Sequence, residues 1–284
     1  MAPDAVAYAI GGSFAVAIGL VIGSFLDLCI DRMPEDRSVV WPGSACTSCG
    51  RPVRPYDNVP VLSWLLLRGR CRDCGAAIPA RAPLVELLGG LVGLLLFHRF
   101  IPSTAELDLP HFALWAVHLG LIGCMIVAAY TDLGHRIIPN ETSIYAVPFG
   151  VAGAALLAWL GVDDWLVVSP LTSIVSAAAV GAFFATVAVM ARWALGHDGL
   201  GWGDVKLITM IASFVGAIPA TLIIMLLASV AASVHGVVHL VATRRRAYLP
   251  LGPLLALSTL TYVLYGDAVV RGLFPGASMF FGPR

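Results

Sequence analysis

"AVAYAIGGSFAVAIGLVIGSFL", residues 5–26, runs without a single charge between Asp4 and Asp27. A bilayer core about 30 Å thick is crossed by a helix of ~20 mostly apolar residues, so this stretch predicts a membrane span. The rest of the chain agrees: of 284 residues, 59% are hydrophobic and 12% charged, and the mean hydropathy is +0.89. That composition lies outside the range of soluble domains. A cleaved signal peptide is the competing reading of residues 5–26. No basic stretch precedes the run and no small-x-small cleavage site ends it, so a retained span is expected.

Further spans are predicted at 83–101, 111–130, 144–161, 166–191, 219–242 and 249–266. The stretch 205–242 is too long for one helix, and Pro219 beside Gly216 is a natural break. A short helix at 205–217 followed by a full one brings the expectation to an all-α polytopic membrane protein of about eight transmembrane helices. With the N-terminus outside, segments 27–82, 131–143, 192–206 and 243–248 face inward and carry 14 of the 17 Lys and Arg. Arg99, Arg271 and Arg284 fall outside, where Glu106, Asp108, Asp163 and Asp164 also lie. The positive-inside rule therefore predicts that residues 27–82 are cytoplasmic. Acidic and basic residues balance at 17 each, which argues against a general nucleic-acid binder.

The cytoplasmic stretch holds Cys46-x2-Cys49 and, 21 residues on, Cys71-x2-Cys74. Cytosolic cysteines seldom form disulfides, and each Cys-x-x-Cys lets one tight turn offer two thiolates to the same ion. Two such turns complete a tetrahedral Zn²⁺ site with no open position, so the zinc is expected to be structural. Gly50 and Gly75 follow the second cysteine of each pair, where the turn needs positive φ. A redox dithiol or four unrelated core cysteines are the blander readings, and two matched pairs argue against both. Cys29 and Cys124 read as apolar packing.

Two carboxylates carry the chemistry. Asp132, in "AAYTDLGHRIIPN", ends the third predicted span, and Asp204, in "GLGWGDVKLITM", opens the sixth. Topology puts both at the cytoplasmic mouth, where a charge needs a partner or a task. Asp204 could simply cap its helix and Asp132 could sit beside Arg136. Gly201 and Gly203 favour function, because they clear side-chain bulk beside the carboxylate for an approaching substrate backbone. Two close carboxylates share one proton and so supply an acid and a base together. No Gly-x-Ser-x-Gly or His-Glu-x-x-His offers another hydrolytic set, and His235 and His239 read as packing or interhelical hydrogen bonding.

In order along the chain, "GSFLDLCIDRMP" (23–34), the two cysteine pairs, "YDNVPVLSWLLLRGRC" (56–71) and "PLVELLGG" (83–90) are followed by "TDLGHRIIPN" (131–140), "GLGWGDVKL" (199–207) and "LPLGPLLAL" (249–257). Together they resemble the bacterial type IV prepilin peptidases, membrane aspartic proteases with a Gly-x-Gly-Asp motif. The resemblance implies that Asp132 and Asp204 are the catalytic pair and that Cys46, Cys49, Cys71 and Cys74 bind zinc. It implies cleavage of the short basic leader of prepilins or type II secretion pseudopilins after a glycine, at the cytoplasmic face of the bacterial inner membrane. It also implies N-methylation of the new terminus with S-adenosylmethionine, assigned to the first cytoplasmic loop. Glu86 matches a family acid. Its expected roles are pairing with Lys206 or an arginine, or meeting the leader's positive charge together with Asp27 and Asp31.

Three positions depart from the family pattern. Asp27 stands where Asn is common, Asp31 where an aromatic residue is common, and Ile138-Pro139-Asn140 where many members have Pro-Asp. The first two fall in the region to which methyl transfer is assigned. The expected organisation is a first helix at 1–30, a zinc-binding cytoplasmic domain at 31–82 and a transmembrane peptidase domain at 83–284. An ion-coupled transporter would need inverted repeats and mid-span charges, which are not seen. A zinc-ribbon docking protein of a pilus or secretion assembly would not need the Gly-x-Gly-Asp setting.

Overall fold

The structure, a computed structural model, describes residues 3–196, 200–244 and 250–273. Gly199, Arg245, Arg246, Leu249 and Arg284, which entered the sequence argument, lie outside the described residues. Among the described residues the regular structure is helical, with two isolated bridges and no strand. The helices are α1 (Pro3–Arg32), α2 (Leu62–Leu66), α3 (Arg81–Phe100), α4 (Leu109–His135), α5 (Val147–Trp159), α6 (Pro170–Leu195), α7 (Trp202–Val215), α8 (Leu222–Thr243) and α9 (Leu251–Leu273). The chain divides into two units, Met1–Trp115 and Ala116–Arg284.

In the first unit α1 and α3 run antiparallel with their backbones in contact. Ala15, Gly19 and Gly23 are spaced by four and share one face of α1, meeting Gly93, Gly89 and Glu86 of α3 in turn. A Cβ on Gly93 would lie 2.6 Å from the Ala15 carbonyl oxygen, and one on Gly23 2.7 Å from the Cα of Glu86. Small residues at this spacing allow the close packing that joins helices where no water drives association. Phe97 and Trp115 extend the contact, Phe97 against Tyr8 with ring centroids 5.3 Å apart, and Trp115 Nε1 donating to the Gly93 carbonyl at 2.9 Å. With 30 residues, α1 is about 45 Å long, so it outruns a ~30 Å core and carries Asp27, Asp31 and Arg32 past it. There Arg32 is buried, and it donates to the carbonyls of Ser38, Pro42 and Gly43, which anchors the start of the inserted lobe.

In the second unit α7 is the central helix. Val205 and every residue from Leu207 to Val215 are buried, so this helix is enclosed on all sides by protein. Its neighbours α5 and α6 approach closely at glycines. Gly150 of α5 faces Ser213, and a Cβ on Gly181 of α6 would lie 2.9 Å from Thr209 Oγ1. The expected break is present: α7 stops at Val215, Gly216 takes φ +83, and Ile218 before Pro219 is extended at φ −124, ψ 131.

The expected count of about eight spans is not confirmed. Among the described residues six helices, namely α1, α3, α4, α6, α8 with its preceding turn, and α9, are long and apolar enough to cross a membrane. The other two predicted spans are α5, with 13 residues, and α7, with 14. Each rises only about 20 Å, less than the bilayer core. Gly161 at φ +67 follows the end of α5, which apolar run length could not reveal, while α7 ends at the expected break, before Gly216 at φ +83. Exposed Phe14, Val21, Phe183, Met190, Val234 and Val238 give α1, α6 and α8 apolar outer faces suited to lipid.

Candidate active site and metal centre

Asp132 lies in the last turn of α4. Arg136, at φ +57, turns the chain out of the helix while its N–H still reaches the Asp132 carbonyl at 3.0 Å. The Asp132 side chain is only 5% exposed, and its Oδ2 accepts the Gly252 N–H at 2.9 Å from the first turn of α9. That N–H is one of the donors a helix leaves unused at its start. Asp204 is the third residue of α7, after the extended N-cap Gly201, so it too sits at a helix N-terminus, where a negative charge is favoured by about 0.3–1 kcal/mol. The loop that follows Asp132 packs on the first turn of α7, which carries Asp204, through Ile138 against Gly203 and Asn140 against Lys206. The structure therefore brings the two sequence-predicted carboxylates together at the meeting of three helix ends.

The two motif glycines have different surroundings. A Cβ on Gly201 would lie 3.0 Å from Asp204 Oδ2, so this glycine clears space beside the carboxylate. A Cβ on Gly203 would lie 3.1 Å from the Cβ of Ile138, so this one lets the loop after α4 pack onto the first turn of α7. Lys206 holds the same loop: its Nζ donates to Asn140 Oδ1 at 2.6 Å.

In the first unit the four cysteines converge. Their sulfurs all lie within 4.8 Å of one another, with Cys46 Sγ and Cys74 Sγ 3.7 Å apart. Each pair sits on the same local frame. Gly50 N–H donates to the Cys46 carbonyl and Gly75 N–H to the Cys71 carbonyl, and both glycines have positive φ, +69 and +71. The Cys49 and Ser48 amides draw the Cys46 thiol down to about 6. Cys74 is pushed up to about 12, the pull of the Ala76 amide being outweighed by desolvation and by hydrogen bonds with the other three sulfurs. A cluster of this donor chemistry can hold a metal ion.

Glu86 is buried in α3, and its Oε2 accepts the Val61 N–H at 2.6 Å. Val61 sits at φ +61, ψ −50 with Leu62 N–H bonded to the Pro60 carbonyl at 2.6 Å, the rarer and strained form of γ-turn on a β-branched residue. Asp27 and Asp31, expected beside a basic leader, meet Arg81 at 2.7 and 3.5 Å, and Asp31 also meets Arg37 at 3.0 Å. These groups border a cavity of about 490 Å³ whose lining includes Asp27, Arg32, Trp64, Cys46 and Glu86.

Residues 17–100 match the bacterial peptidase A24 N-terminal domain, and residues 119–237 match the type IV leader peptidase family. A prepilin leader peptidase/N-methyltransferase of Burkholderia pseudomallei (strain 1026b) is 30% identical over 89% of this chain and 85% of its own length. The chain belongs to the type IV leader peptidase family. A family relative from Myxococcus xanthus (strain DK1622), also a prepilin leader peptidase/N-methyltransferase, is 37% identical over 82% of this chain, which covers 64% of the relative's length. A type 4 prepilin-like proteins leader peptide-processing enzyme of Escherichia coli O78:H11 is 34% identical over 84% of this chain and 88% of its own length. No solved structure matches the chain. The part of the chain matching the leader peptidase family contains Asp132 and Asp204, and the part matching the N-terminal domain contains the four cysteines. Within that frame, Gly252 and Ile138 are site residues that motif reading passed over. Both stand inside quoted motifs, but neither has a side-chain chemistry that would single it out.

Proposed function

We propose that this chain is a membrane aspartic endopeptidase that removes the short basic leader of type IV prepilins or type II secretion pseudopilins after a glycine, and then N-methylates the new terminus. Asp132 and Asp204 are its catalytic pair. The observation that supports this reading is the packing of the segment after Asp132, at the end of α4, on the first turn of α7 that carries Asp204, in a chain of the leader peptidase family.

The chemistry follows from two carboxylates sharing one proton. A water held between them loses a proton to the ionised member as its oxygen bonds to the scissile carbonyl carbon. The protonated member gives its proton to the carbonyl oxygen. Collapse of the tetrahedral intermediate breaks the C–N bond, the leaving nitrogen takes a proton, and the pair returns to its starting state. Gly201 leaves room for an extended substrate backbone beside Asp204, while Gly203 and Lys206 hold the loop after α4 against α7. The positive-inside bias supports an outside N-terminus, with the cysteine lobe and the loops at 131–143 and 192–206 in the cytoplasm of an inner-membrane protein.

Zinc is the metal that suits the cysteine cluster. Tetrahedral bonds of about 2.3 Å put sulfurs ~3.8 Å apart, close to the 3.7 Å between Cys46 and Cys74. Four thiolates leave no open position, so the ion is structural. For the methyl transfer, S-adenosylmethionine would supply the methyl group. The cavity of about 490 Å³ has the size for such a ligand, with Trp64 on its wall and a lining of mixed charge in which Asp27 and Asp31 are paired with Arg81. The test is mass spectrometry of a prepilin incubated with membranes that contain the protein. Cleavage after the leader glycine, with the mass of one methyl group added to the new terminus, supports both activities. An intact prepilin, from a cognate partner and an inserted enzyme, contradicts the reading.

A further inference from the structure

The two carboxylates are held differently. Asp132 Oδ2 accepts the Gly252 N–H at 2.9 Å in a buried setting, whereas Asp204 has no hydrogen-bond donor among the described residues. The Gly252 amide lies in the first turn of α9, where no intrahelical acceptor is available, so its bond to Asp132 competes with nothing inside the helix. The absence of a side chain matters equally. A Cβ at position 252 would stand 2.9 Å from Asp132 Oδ2, 3.0 Å from Asp132 Cβ and 3.3 Å from Asp132 Cγ. Only glycine lets the backbone of α9 come close enough to donate to this carboxylate.

We propose that Gly252 is a positioning residue for Asp132: α9 presents its N–H to one carboxylate oxygen, fixing the rotamer so that the other oxygen is aimed at the reacting water. This rests on the reading of Asp132 and Asp204 as the catalytic pair. The fixed oxygen is spent on α9, which leaves one oxygen of Asp132 for proton transfer and removes a rotamer search from each turnover. Misplacing a catalytic group by about 1 Å costs on the order of 10²-fold in rate, so the effect belongs in kcat.

The experiment measures kcat and KM for prepilin cleavage by the full chain in proteoliposomes, with Gly252→Ala, Gly272→Ala, Asp132→Asn and wild type in parallel. A Cβ at Gly272 of the same helix meets nothing within 4 Å, so that variant controls for alanine in α9. The proposal expects Gly252→Ala to lose about 10²-fold in kcat with KM within about twofold, and Gly272→Ala to match wild type. A kcat for Gly252→Ala within about threefold of wild type overturns it, as does a rise in KM alone, which would make Gly252 a substrate contact. Undiminished cleavage by Asp132→Asn would overturn the catalytic pair itself, whatever Gly252→Ala does. If Gly252→Ala does not fold, amide hydrogen exchange reads the same bond from the other side. Exchange at Gly252 rises at least about tenfold in Asp132→Ala but not in Asp132→Asn, whose side-chain oxygen still accepts the bond. Equal exchange in all three proteins overturns the proposal.

Discussion

Lys206 Nζ donates to Asn140 Oδ1 at 2.6 Å, tying the first turns of α7 to the loop that follows α4. Each segment carries one member of the proposed pair, Asp204 two residues before Lys206 and Asp132 eight before Asn140. The bond therefore limits how far the two carboxylates can drift apart. Asn140→Ala is expected to lower kcat for leader cleavage about tenfold with little change in KM, as loss of orientation does. Asn140→Asp, which gives the ammonium a charged acceptor, keeps wild-type kcat or exceeds it. Steady-state kinetics on both variants check this, and an unaffected Asn140→Ala removes the tether from the account.

The α1–α3 contact makes a second prediction. A side chain at Gly89 would run into the Gly19 carbonyl, and backbone cannot step aside as a side chain can. Gly89→Val is expected to destabilise the first unit by about 1–3 kcal/mol or more through overpacking. Gly12→Ala is expected to be near neutral, since its Cβ would meet Leu94 and Phe97 side-chain atoms at 3.7 Å, an ordinary contact. Thermal unfolding in detergent separates the two.

Glu86 holds the strained turn at Val61, and φ +61 on a β-branched residue costs on the order of 1–3 kcal/mol. Without the carboxylate, the Val61 N–H loses its acceptor and the turn has reason to relax. Glu86→Ala should therefore raise proteolytic sensitivity around residues 59–63, while Glu86→Gln, which can still accept the N–H, should not. Limited proteolysis of the two variants reads the difference.

The cysteine cluster gives a pH dependence whose sign follows from thiolate binding. The ion is held by deprotonated sulfurs, so protons compete with it: the Cys49 and Ser48 amides favour the Cys46 thiolate, desolvation and the neighbouring sulfurs disfavour that of Cys74, and both charges are lost as pH falls. Zinc is expected to stay bound during dialysis above neutrality and to appear in a colorimetric chelator assay as the buffer is acidified. Cys46→Ser moves release to higher pH. Retention of zinc by Cys46→Ser through the same titration contradicts four-thiolate binding.

Much of this was legible in the residues. The uncharged run at 5–26, the break between Gly216 and Pro219, and the two cysteine knuckles with Gly50 and Gly75 are local signals, written in composition, turn chemistry and spacing. The illegible parts are non-local. The Asp132–Gly252 bond spans 120 residues, and a backbone donor leaves no mark in a side-chain pattern. Gly203 reads in sequence as open space beside a carboxylate, yet the space is taken by Ile138. Glu86 and Lys206 suggested ionic partners and found neutral ones, the Val61 N–H and Asn140. The length of α5 was overestimated, 144–161 against Val147–Trp159, because a glycine inside an apolar run does not say which way its φ will turn.

The most direct test of the central claim is mass spectrometry of one prepilin incubated in parallel with membranes bearing wild type, Asp132→Asn or Asp204→Asn at equal inserted amounts. The account predicts cleavage after the leader glycine by wild type alone, with both variants slowed by ~10³-fold or more and still zinc-loaded. Cleavage by either variant at a rate near that of wild type would contradict it.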